Sequence, residues 1–489
     1  MLNSRSTFFW HTNCFTNVKV MFVPQKRMGR DSSDIRQEAN RISSLNLILK
    51  EAIMVGVIGV IASLVLLMLI VYKGVGVIPA SILCALVVIV STGGDIFGQL
   101  GTAFLPGTVG FVSSYFFLLS TGALLGQVMG DSGSAKAIGN FLMEKMGAKN
   151  VMMITCITAA ILSYGGVSLF VQTFTVIPLV LGIYRDANIP KRFMVGSFVL
   201  GNGTFAMTAL PGLPSLPNLI PTQYLGTTPM AAPVLGIGIG VFMFVAGISF
   251  LNWELKKSQA KGETFELNHA TDDKFLNVDQ SRPLPSTLVA FLPLLVTIML
   301  IVTISGKFAV KNNGVSVCLV TGAALTYILN WSRLKDKMLT LNEGFRSAVI
   351  PLLNTAALVG FGTVVSKSPA FQNFVDFAMG LDLSPYLSAA VAINIVAGIT
   401  GSAAGGLEIF MKALGQTYLD MGLNANVFHR LSAVACGGLD SLPHNGAVNT
   451  MFMLMGTNHK QSYWYVFVIM CIIPLVSTGL IVALAMMFY

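Results

Sequence analysis

Long apolar runs without a charged residue alternate with short polar stretches along most of the chain. Crossing the hydrocarbon core of a bilayer takes about 20 residues in a helix, and most of the runs approach or exceed that length. They are apolar on every side, whereas a barrel strand alternates apolar and polar positions. The pattern therefore predicts an all-α integral membrane protein, with spans among residues 53–72, 77–90, 109–129, 288–304, 315–330, 348–365 and 464–489.

The two halves of the chain share an order of unusual features. Gly126 and Ser132 fall on Gly362 and Ser368, a displacement of 236 in both cases (362 − 126 and 368 − 132). Each copy holds three spanning segments, an apolar stretch interrupted by glycines, a segment broken by prolines and a last span. If the glycine stretch is a re-entrant hairpin, each copy crosses the membrane five times, and the odd number inverts the second copy. We therefore expect two inverted repeats of about five spanning helices.

This duplication divides the chain into four predicted parts. Basic loops of the first half and the linker fall on one side of the membrane, which the positive-inside rule assigns to the cytoplasm. Each repeat is expected to contain one hairpin, at about 163–186 and 400–422, and one broken helix, at about 200–221 and 437–450. The parts are an N-terminal tail at 1–51, repeat 1 at 52–253, a cytoplasmic linker at 254–286 and repeat 2 at 287–489.

Composition narrows the class of protein further. Hydrophobic residues make up 54% of the chain and charged residues 10%, against about a quarter charged in soluble domains. The net charge of +9 comes from Lys and Arg between the apolar runs, so no basic face for nucleic acid is expected. The six cysteines form no CxxC pair, and no HExxH or GxSxG motif is present, so we predict no metal, no cofactor and no enzymatic activity.

Hairpin tips and broken helices that meet inside a bilayer must line a polar cavity, because their free backbone groups need partners. Glycines there allow a ligand close to the backbone, although close helix packing through small residues is the alternative. Helix N-termini would offer N–H groups to an anion. The predicted substrate-binding residues are Gly165, Gly166, Ser168, Thr208, Gly212, Asn218, Ser402, Gly405, Gly406, Ser441 and Asn445.

Ionisable residues in apolar surroundings are costly and are therefore functional candidates. Glu408, Asp440 and His444 are the predicted proton-coupling residues, because partial loss of water tunes such groups to bind and release protons. A structural Asp440–His444 pair is the alternative, as is a Glu408–Lys412 salt bridge at i,i+4. No basic residue stands out in the cavity, and 424–430 is expected to be a loop on the opposite side of the membrane from the basic loops. Helix dipoles would then offset most of the anion's charge.

At these residues the chain resembles the gluconate permease (GntP) family, within the ion-transporter superfamily of organic-anion carriers. The resemblance covers nearly all of residues 53–489, most specifically DANIPKR at 186–192, TALPGLPSLPNLIPTQYLGTTPMAAP at 208–233, and GSAAGGLEIF at 401 through GGLDSLPHNGAV at 437–448. These stretches look most like members that carry hydroxybutyrate and related small hydroxy acids. In sugar-acid members the first broken segment tends to contain histidine, which TALPGLPSLPN lacks.

The resemblance implies a secondary active transporter that carries a small hydroxy-monocarboxylate by proton symport across the plasma membrane. Candidate substrates are 3-hydroxybutyrate, gluconate and related sugar acids. It also implies a homodimer with a scaffold and a moving transport domain. The alternatives are a sodium-coupled carrier of di- or tricarboxylates such as citrate, and a channel. The expected partners are thus a small organic anion, the lipid bilayer and a second copy of the chain.

Overall fold

The computed structural model describes residues 55–63, 65–67, 69–71, 73, 75–167, 169–268, 272, 283–304, 307–308, 311–368, 371, 383–443 and 445–488. These residues belong to one compact unit, Ile53–Tyr489. They form helices, turns and connecting segments, with no strand in the described ranges, which confirms the all-α prediction. The predicted tail at 1–51 lies outside the described residues.

The first half contains eight labelled helices. A π-helical turn at Leu100–Phe104 lies within α2, and a π-helical segment at Leu200–Ala209 continues α6 up to the first break. The helices are α1 Val77–Ser91, α2 Ile96–Asp131, α3 Ser134–Met146, α4 Val151–Tyr164, α5 Leu169–Asp186, α6 Lys191–Val199, α7 Leu216–Leu225 and α8 Pro233–Ala260.

The second half follows a similar order. A π-helical turn at Val468–Ile472 joins its last two helices into one long span. The helices are α9 Thr287–Ile304, α10 Lys311–Leu329, α11 Lys337–Ser347, α12 Val349–Lys367, α13 Pro385–Thr400, α14 Ala403–Asp420, α15 Ala425–Ala435, α16 Gly446–Leu454, α17 His459–Phe467 and α18 Ile473–Phe488.

Several helices turn an apolar face outward. In α9 the exposed residues Leu288, Leu292, Leu295, Met299 and Val302 recur every three or four positions, which is the period of one helix face. Such a continuous apolar stripe suits contact with lipid and not with water. Five helical segments in the described ranges are long and apolar enough to cross a membrane: Ile96–Asp131, Pro233–Ala260, Thr287–Ile304, Lys337–Lys367 and His459–Phe488.

The two halves match most clearly around their glycine turns. α4 and α5 contact each other and are joined by a turn in which Gly166 has φ 75°; α13 and α14 are joined by a turn in which Gly401 has φ 57°. A side chain is disfavoured at such positive φ values, so glycine permits both turns. Each pair is followed by a helix, an interruption and a second helix. The order agrees with the predicted duplication.

One predicted loop is a helix. Residues 424–430 were expected to lie in a loop, yet α15 begins at Ala425 and leads directly into the second interruption. The Asn424 side chain accepts hydrogen bonds from the N–H groups of Asn426 and Val427, which caps the first turn of α15. The predicted loop is therefore wrong: Asn424 caps a helix, and the His429 and Arg430 side chains of that helix are buried. α8 also continues to Ala260, beyond the boundary predicted at residue 253.

Candidate functional site

The turn between α4 and α5 packs against the first interruption, residues 210–215. The Tyr164 hydroxyl donates a hydrogen bond to the Pro211 carbonyl at 2.9 Å. A Cβ added to Gly166 would lie 3.5 Å from Cγ of Pro214, and one on Gly165 would meet a leucine side chain of α9 at 2.1 Å. These two predicted site residues therefore allow close packing of the turn. The turn that contains them lies against the first interruption, which is the position expected of a binding site formed by these two elements.

A buried polar network links this turn to the π-helical segment. The Ser163 hydroxyl accepts hydrogen bonds from the side-chain amides of Gln172 and Asn202, each at 3.0 Å. It thereby connects α4, α5 and the segment that leads to the first interruption. The sequence reasoning missed Gln172 and Asn202, although an amide within a glycine-rich apolar stretch is a usable signal. Ser168, predicted to bind substrate, lies outside the described residues.

Asn445 holds the second glycine turn against the second interruption, residues 436–445. Its side-chain amide donates to the carbonyls of Gly401 at 3.1 Å and Asp440 at 2.9 Å. Its oxygen accepts from the N–H of Val448 at 2.9 Å and so caps α16. The predicted residue therefore has all its bonds to backbone. It fixes where the turn and the interruption meet.

Asp440 lies in the second interruption and is buried next to the first residues of α14. Its carboxylate accepts a hydrogen bond from the Ser441 hydroxyl at 2.9 Å and interacts with the backbone N–H of Ala403. A helix N-terminus carries a partial positive charge that stabilises such an anion. His444 lies outside the described residues, so the alternative of an Asp440–His444 pair stays a prediction.

Three predicted residues at the start of α14 have different surroundings. The Ser402 hydroxyl accepts from the Gly405 N–H at 3.1 Å and caps the helix. A Cβ on Gly406 would come within 2.5 Å of Cα of Ala397, so this glycine allows α13 and α14 to pack closely. A Cβ on Gly405 would have no neighbour nearer than 3.3 Å. Gly406 thus fits the packing alternative, while the backbone at Gly405 is more open.

Glu408 is bonded by two tyrosines from other parts of the fold. The hydroxyl of Tyr115 in α2 donates to Oε2 at 3.1 Å, and that of Tyr224 in α7 donates to Oε1. Glu408 is buried, whereas the Lys412 side chain is exposed. The ion pairs of the described residues do not include one between them. The structure therefore favours tyrosine bonding over the salt-bridge alternative.

The two interruptions approach each other next to Thr208. A Cβ on Gly437 would lie 3.0 Å from Cγ2 of Thr208. The Thr208 hydroxyl donates to the Thr204 carbonyl at 2.9 Å within its own helical segment, and the Gly212 N–H donates to the Pro229 carbonyl at 2.9 Å. Thr208 thus lies where the two halves of the site meet, while Gly212 holds the first interruption to the segment after α7.

Asn218 and His429 join α7 to α15. The Asn218 amide group donates to the carbonyls of Leu213 at 2.8 Å and Pro229 at 3.1 Å, which directs its oxygen towards Nε2 of His429 at 3.2 Å. The other ring nitrogen of His429 lies 2.7 Å from the Thr227 hydroxyl. Asn218 was predicted as a site residue. His429 was missed because its segment was taken for a loop.

Arg430 is the buried cation that the sequence did not reveal. It is 0% exposed, and its guanidinium donates to the carbonyls of Thr208 at 3.3 Å, Pro229 at 3.4 Å and Ala231 at 2.9 Å. The expectation that the site lacks a basic residue is therefore wrong. The available signal was an arginine within the largely apolar run 427–435, directly before the interruption.

Two glycine turns and two interrupted helices thus surround buried polar and charged side chains within an apolar helical fold. Broken helices with their free backbone groups lining an internal site are typical of membrane carriers. These features define a multi-pass membrane transporter. Ser441 completes the predicted set: it is buried and bonded to Asp440.

Comparison of the sequence identifies the family. The profile of the GntP family permeases matches residues 52–417, and the chain belongs to this family. An uncharacterized transporter of Bacillus subtilis, YxjC, is 33% identical over 450 residues, which cover 84% of this chain and 94% of the relative. The gluconate permease of Bacillus subtilis is 35% identical over 92 residues, or 18% of this chain and 19% of that protein. The predicted family is confirmed, and the chain is a permease and not an enzyme.

The fold also has a solved counterpart. The YdaH transporter of Alcanivorax borkumensis, described as having an unusual topology, matches with a TM-score of 0.52 and 11% sequence identity. The match covers 81% of this chain and 89% of that one. At this identity the likeness concerns the fold alone. It agrees with the predicted membrane-transporter architecture.

Proposed function

We propose that this chain is a secondary active transporter of the plasma membrane that couples uptake of a small hydroxy-monocarboxylate to protons, and that it acts as a homodimer. The observation that carries the proposal is the meeting of the two interrupted helices at Thr208 and Gly437, with the buried acids Asp440 and Glu408 in the same fold. Paired interruptions supply backbone groups for a ligand, and buried acids supply proton sites.

The second glycine turn is the part of the site best suited to an anion. Ser402 begins α14 as its cap, and Gly405 is packed less closely than Gly406, with Ser402 and Leu358 nearest to a Cβ built there. The helix dipole favours negative charge at this end, where the N–H groups of Ala403 and Gly405 already bond to Asp440 and Ser402. The gluconate permease relative supports a hydroxylated carboxylate as the substrate. 3-Hydroxybutyrate and gluconate are the compounds of choice for a first assay.

Proton coupling is assigned to Asp440 and Glu408. An ionised carboxylate only accepts hydrogen bonds, so it can accept one from each tyrosine that contacts Glu408. A protonated carboxyl oxygen donates instead, so protonation of Glu408 changes at least one of these contacts or requires another acceptor. Proton binding would thereby alter the links between α14, α2 and α7. Asp440 offers a similar connection between the proton and the second glycine turn.

The test is uptake of labelled 3-hydroxybutyrate or gluconate into proteoliposomes with an imposed proton gradient. We expect accumulation that depends on the gradient, and substrate exchange without it. Asp440→Asn should reduce gradient-driven accumulation by about 10-fold or more while retaining exchange, because the amide cannot carry the proton. Glu343→Gln, in an exposed i,i+3 pair with Arg346, is the control and should match the parent.

Other outcomes separate the alternatives. Accumulation that ignores the proton gradient would contradict the coupling. A requirement for sodium with competition by citrate would favour the di- or tricarboxylate carrier, and the absence of counterflow would favour a channel.

A further inference from the structure

Arg430 combines full burial with incomplete bonding. Its terminal nitrogens donate to three backbone carbonyls, at 2.9 to 3.4 Å. Its Nε atom, also buried, has no hydrogen-bond partner among the described residues. The position next to Nε is bounded by Gly236, where an added Cβ would lie 3.0 Å away. The side chain therefore retains an unused donor in an interior position.

The carbonyls around Arg430 solvate its charge without neutralising it. No Asp or Glu of the described ranges forms an ion pair with it, and its electrostatic neighbour is the Tyr164 hydroxyl. A buried charge without a counter-charge costs several kcal/mol. Lys191 is also buried, but it is paired with the carboxylate of Asp272. Arg430 is thus a positive charge that the described protein leaves uncompensated.

The location of this charge is central to the site. Arg430 is on α15, which leads into the second interruption. Its partners Thr208 and Ala231 lie before and after the first interruption and α7, and Tyr164 ends α4 at the first glycine turn. Arg430 itself belongs to the second repeat, and its guanidinium contacts the first. An anion bound where the interruptions meet would lie near it.

We propose that Arg430 binds the carboxylate of the transported substrate and supplies the charge that compensates it during transport. The proposal rests on the function proposed above and deepens it. A guanidinium presents N–H groups in a planar fork that matches a carboxylate bidentately. Exchange of its carbonyl contacts for a substrate carboxylate adds the attraction between opposite charges to the hydrogen bonds. One guanidinium with no second buried unpaired cation in the described ranges suits a monocarboxylate better than citrate.

A purely structural role would look different. Arg430 would then only hold the three carbonyls left without helical partners, and its removal would weaken the fold irrespective of the ligand's charge. The comparison of a carboxylate with its uncharged amide separates the two roles. The binding probes are 3-hydroxybutyrate with 3-hydroxybutyramide, and gluconate with gluconamide.

The experiment measures binding of all four compounds to the purified full chain by calorimetry. The parent should bind a carboxylate at least tenfold more tightly than the amide. Arg430→Gln should weaken carboxylate binding by about 100-fold and amide binding by less than about threefold, since truncating one partner of a buried charge pair is costly. Arg430→Lys should be intermediate, because it keeps the charge but loses the planar fork. Arg346→Gln, at an exposed arginine, is the control.

Unchanged carboxylate binding by Arg430→Gln would overturn the proposal, as would equal weakening for carboxylate and amide. If Arg430→Gln does not fold, Arg430→Lys, which keeps the buried charge, replaces it. Weaker carboxylate binding by Arg430→Lys with amide binding retained supports the proposal, and unchanged carboxylate binding or equal weakening of both overturns it. Failure of the proton-coupling proposal is distinguishable from failure of this one. In that case the parent still binds the carboxylate more tightly than the amide but shows no gradient-driven uptake. A parent that binds none of the four compounds overturns both proposals.

Discussion

The hydroxyl of Tyr224 donates a hydrogen bond to the carboxylate of Glu408, although the two residues lie 184 positions apart in the chain. The bond joins α7, the second helix of the first interrupted pair, to α14. Tyr115 adds a bond from α2 to the other carboxylate oxygen, at 3.1 Å. One buried acid therefore connects helices from both halves of the fold, and the proposed protonation of Glu408 would change these contacts.

Tyr224→Phe tests that link. The ring is retained and a single donor is lost, and a hydrogen bond to a charged group contributes about 1.5–3 kcal/mol. We expect gradient-driven accumulation of 3-hydroxybutyrate or gluconate in proteoliposomes to fall by about 10-fold, with exchange less affected. Tyr327→Phe, which loses a bond to the Lys337 carbonyl elsewhere, should transport like the parent. Parent-like accumulation by Tyr224→Phe would show that the bond has no part in coupling.

Gly405 and Gly406 offer a matched pair of neighbours for testing helix packing. A Cβ at 406 would meet the backbone of Ala397, at 2.5 Å from Cα and 2.7 Å from N, and backbone cannot move aside cheaply. Gly406→Ala should lower the free energy of unfolding by about 1–3 kcal/mol, the usual effect of overpacking. Gly405→Ala should change it by less than about 1 kcal/mol. Thermal unfolding in detergent measures both, and equal melting temperatures would refute the packing role of Gly406.

Local pattern was enough to predict the features that depend on neighbours in the chain. Uncharged apolar runs indicated membrane helices, and glycine clusters indicated the turns at Gly166 and Gly401. Prolines in the stretch from Thr208 to Asn218 indicated an interruption, because proline removes a helical donor. Each of these inferences used one continuous stretch of the chain. The fold class and the family followed from them.

Contacts between distant segments were not readable in the same way. Tyr115 and Glu408 lie 293 positions apart, and no local sequence pattern around either residue predicts the hydrogen bond between them. Arg430 was assigned to a loop because residues 424–430 were taken as the repeat counterpart of the loop at 185–192. Burial is set by the segments that α15 packs against. A single sequence carries no record of those partners. The charged centre of the site therefore required the structure.

Asn445→Ala should be among the more destabilising polar substitutions in the site. The variant loses the cap of α16 and the bonds to the carbonyls of Gly401 and Asp440. A cap contributes about 1 kcal/mol and each buried bond a similar amount, so the expected loss is about 2–4 kcal/mol. Asn424→Ala loses only the cap of α15 and should cost about 1 kcal/mol. Similar unfolding midpoints for the two variants would contradict the bridging role of Asn445.

The segment after α8 is bound to the start of α6 by charged and polar contacts. Arg192 forms an ion pair with Glu263 and donates to the hydroxyls of Ser258 and Tyr465, each at 2.9 Å. The Phe265 N–H donates to the Asn188 side chain at 3.0 Å. A cavity of about 1000 Å³ is lined by this segment and extends to the turn between α16 and α17. The segment therefore forms one wall of that cavity.

Glu263→Gln should loosen this attachment by an amount that depends on pH. Hydrogen bonds from Ser258, with the charge and bonds of Arg192, hold the pKa of Glu263 below its ordinary value. Its contribution is therefore complete above the ordinary carboxyl pKa and is lost as pH falls through the lower value. Since the pair is partly exposed, the effect is small. We expect the rate of hydrogen exchange at the Phe265 amide, measured by mass spectrometry near pH 7, to rise by about 1.5- to 5-fold. Glu266→Gln is the control, and equal exchange in the two variants would exclude a specific role for Glu263.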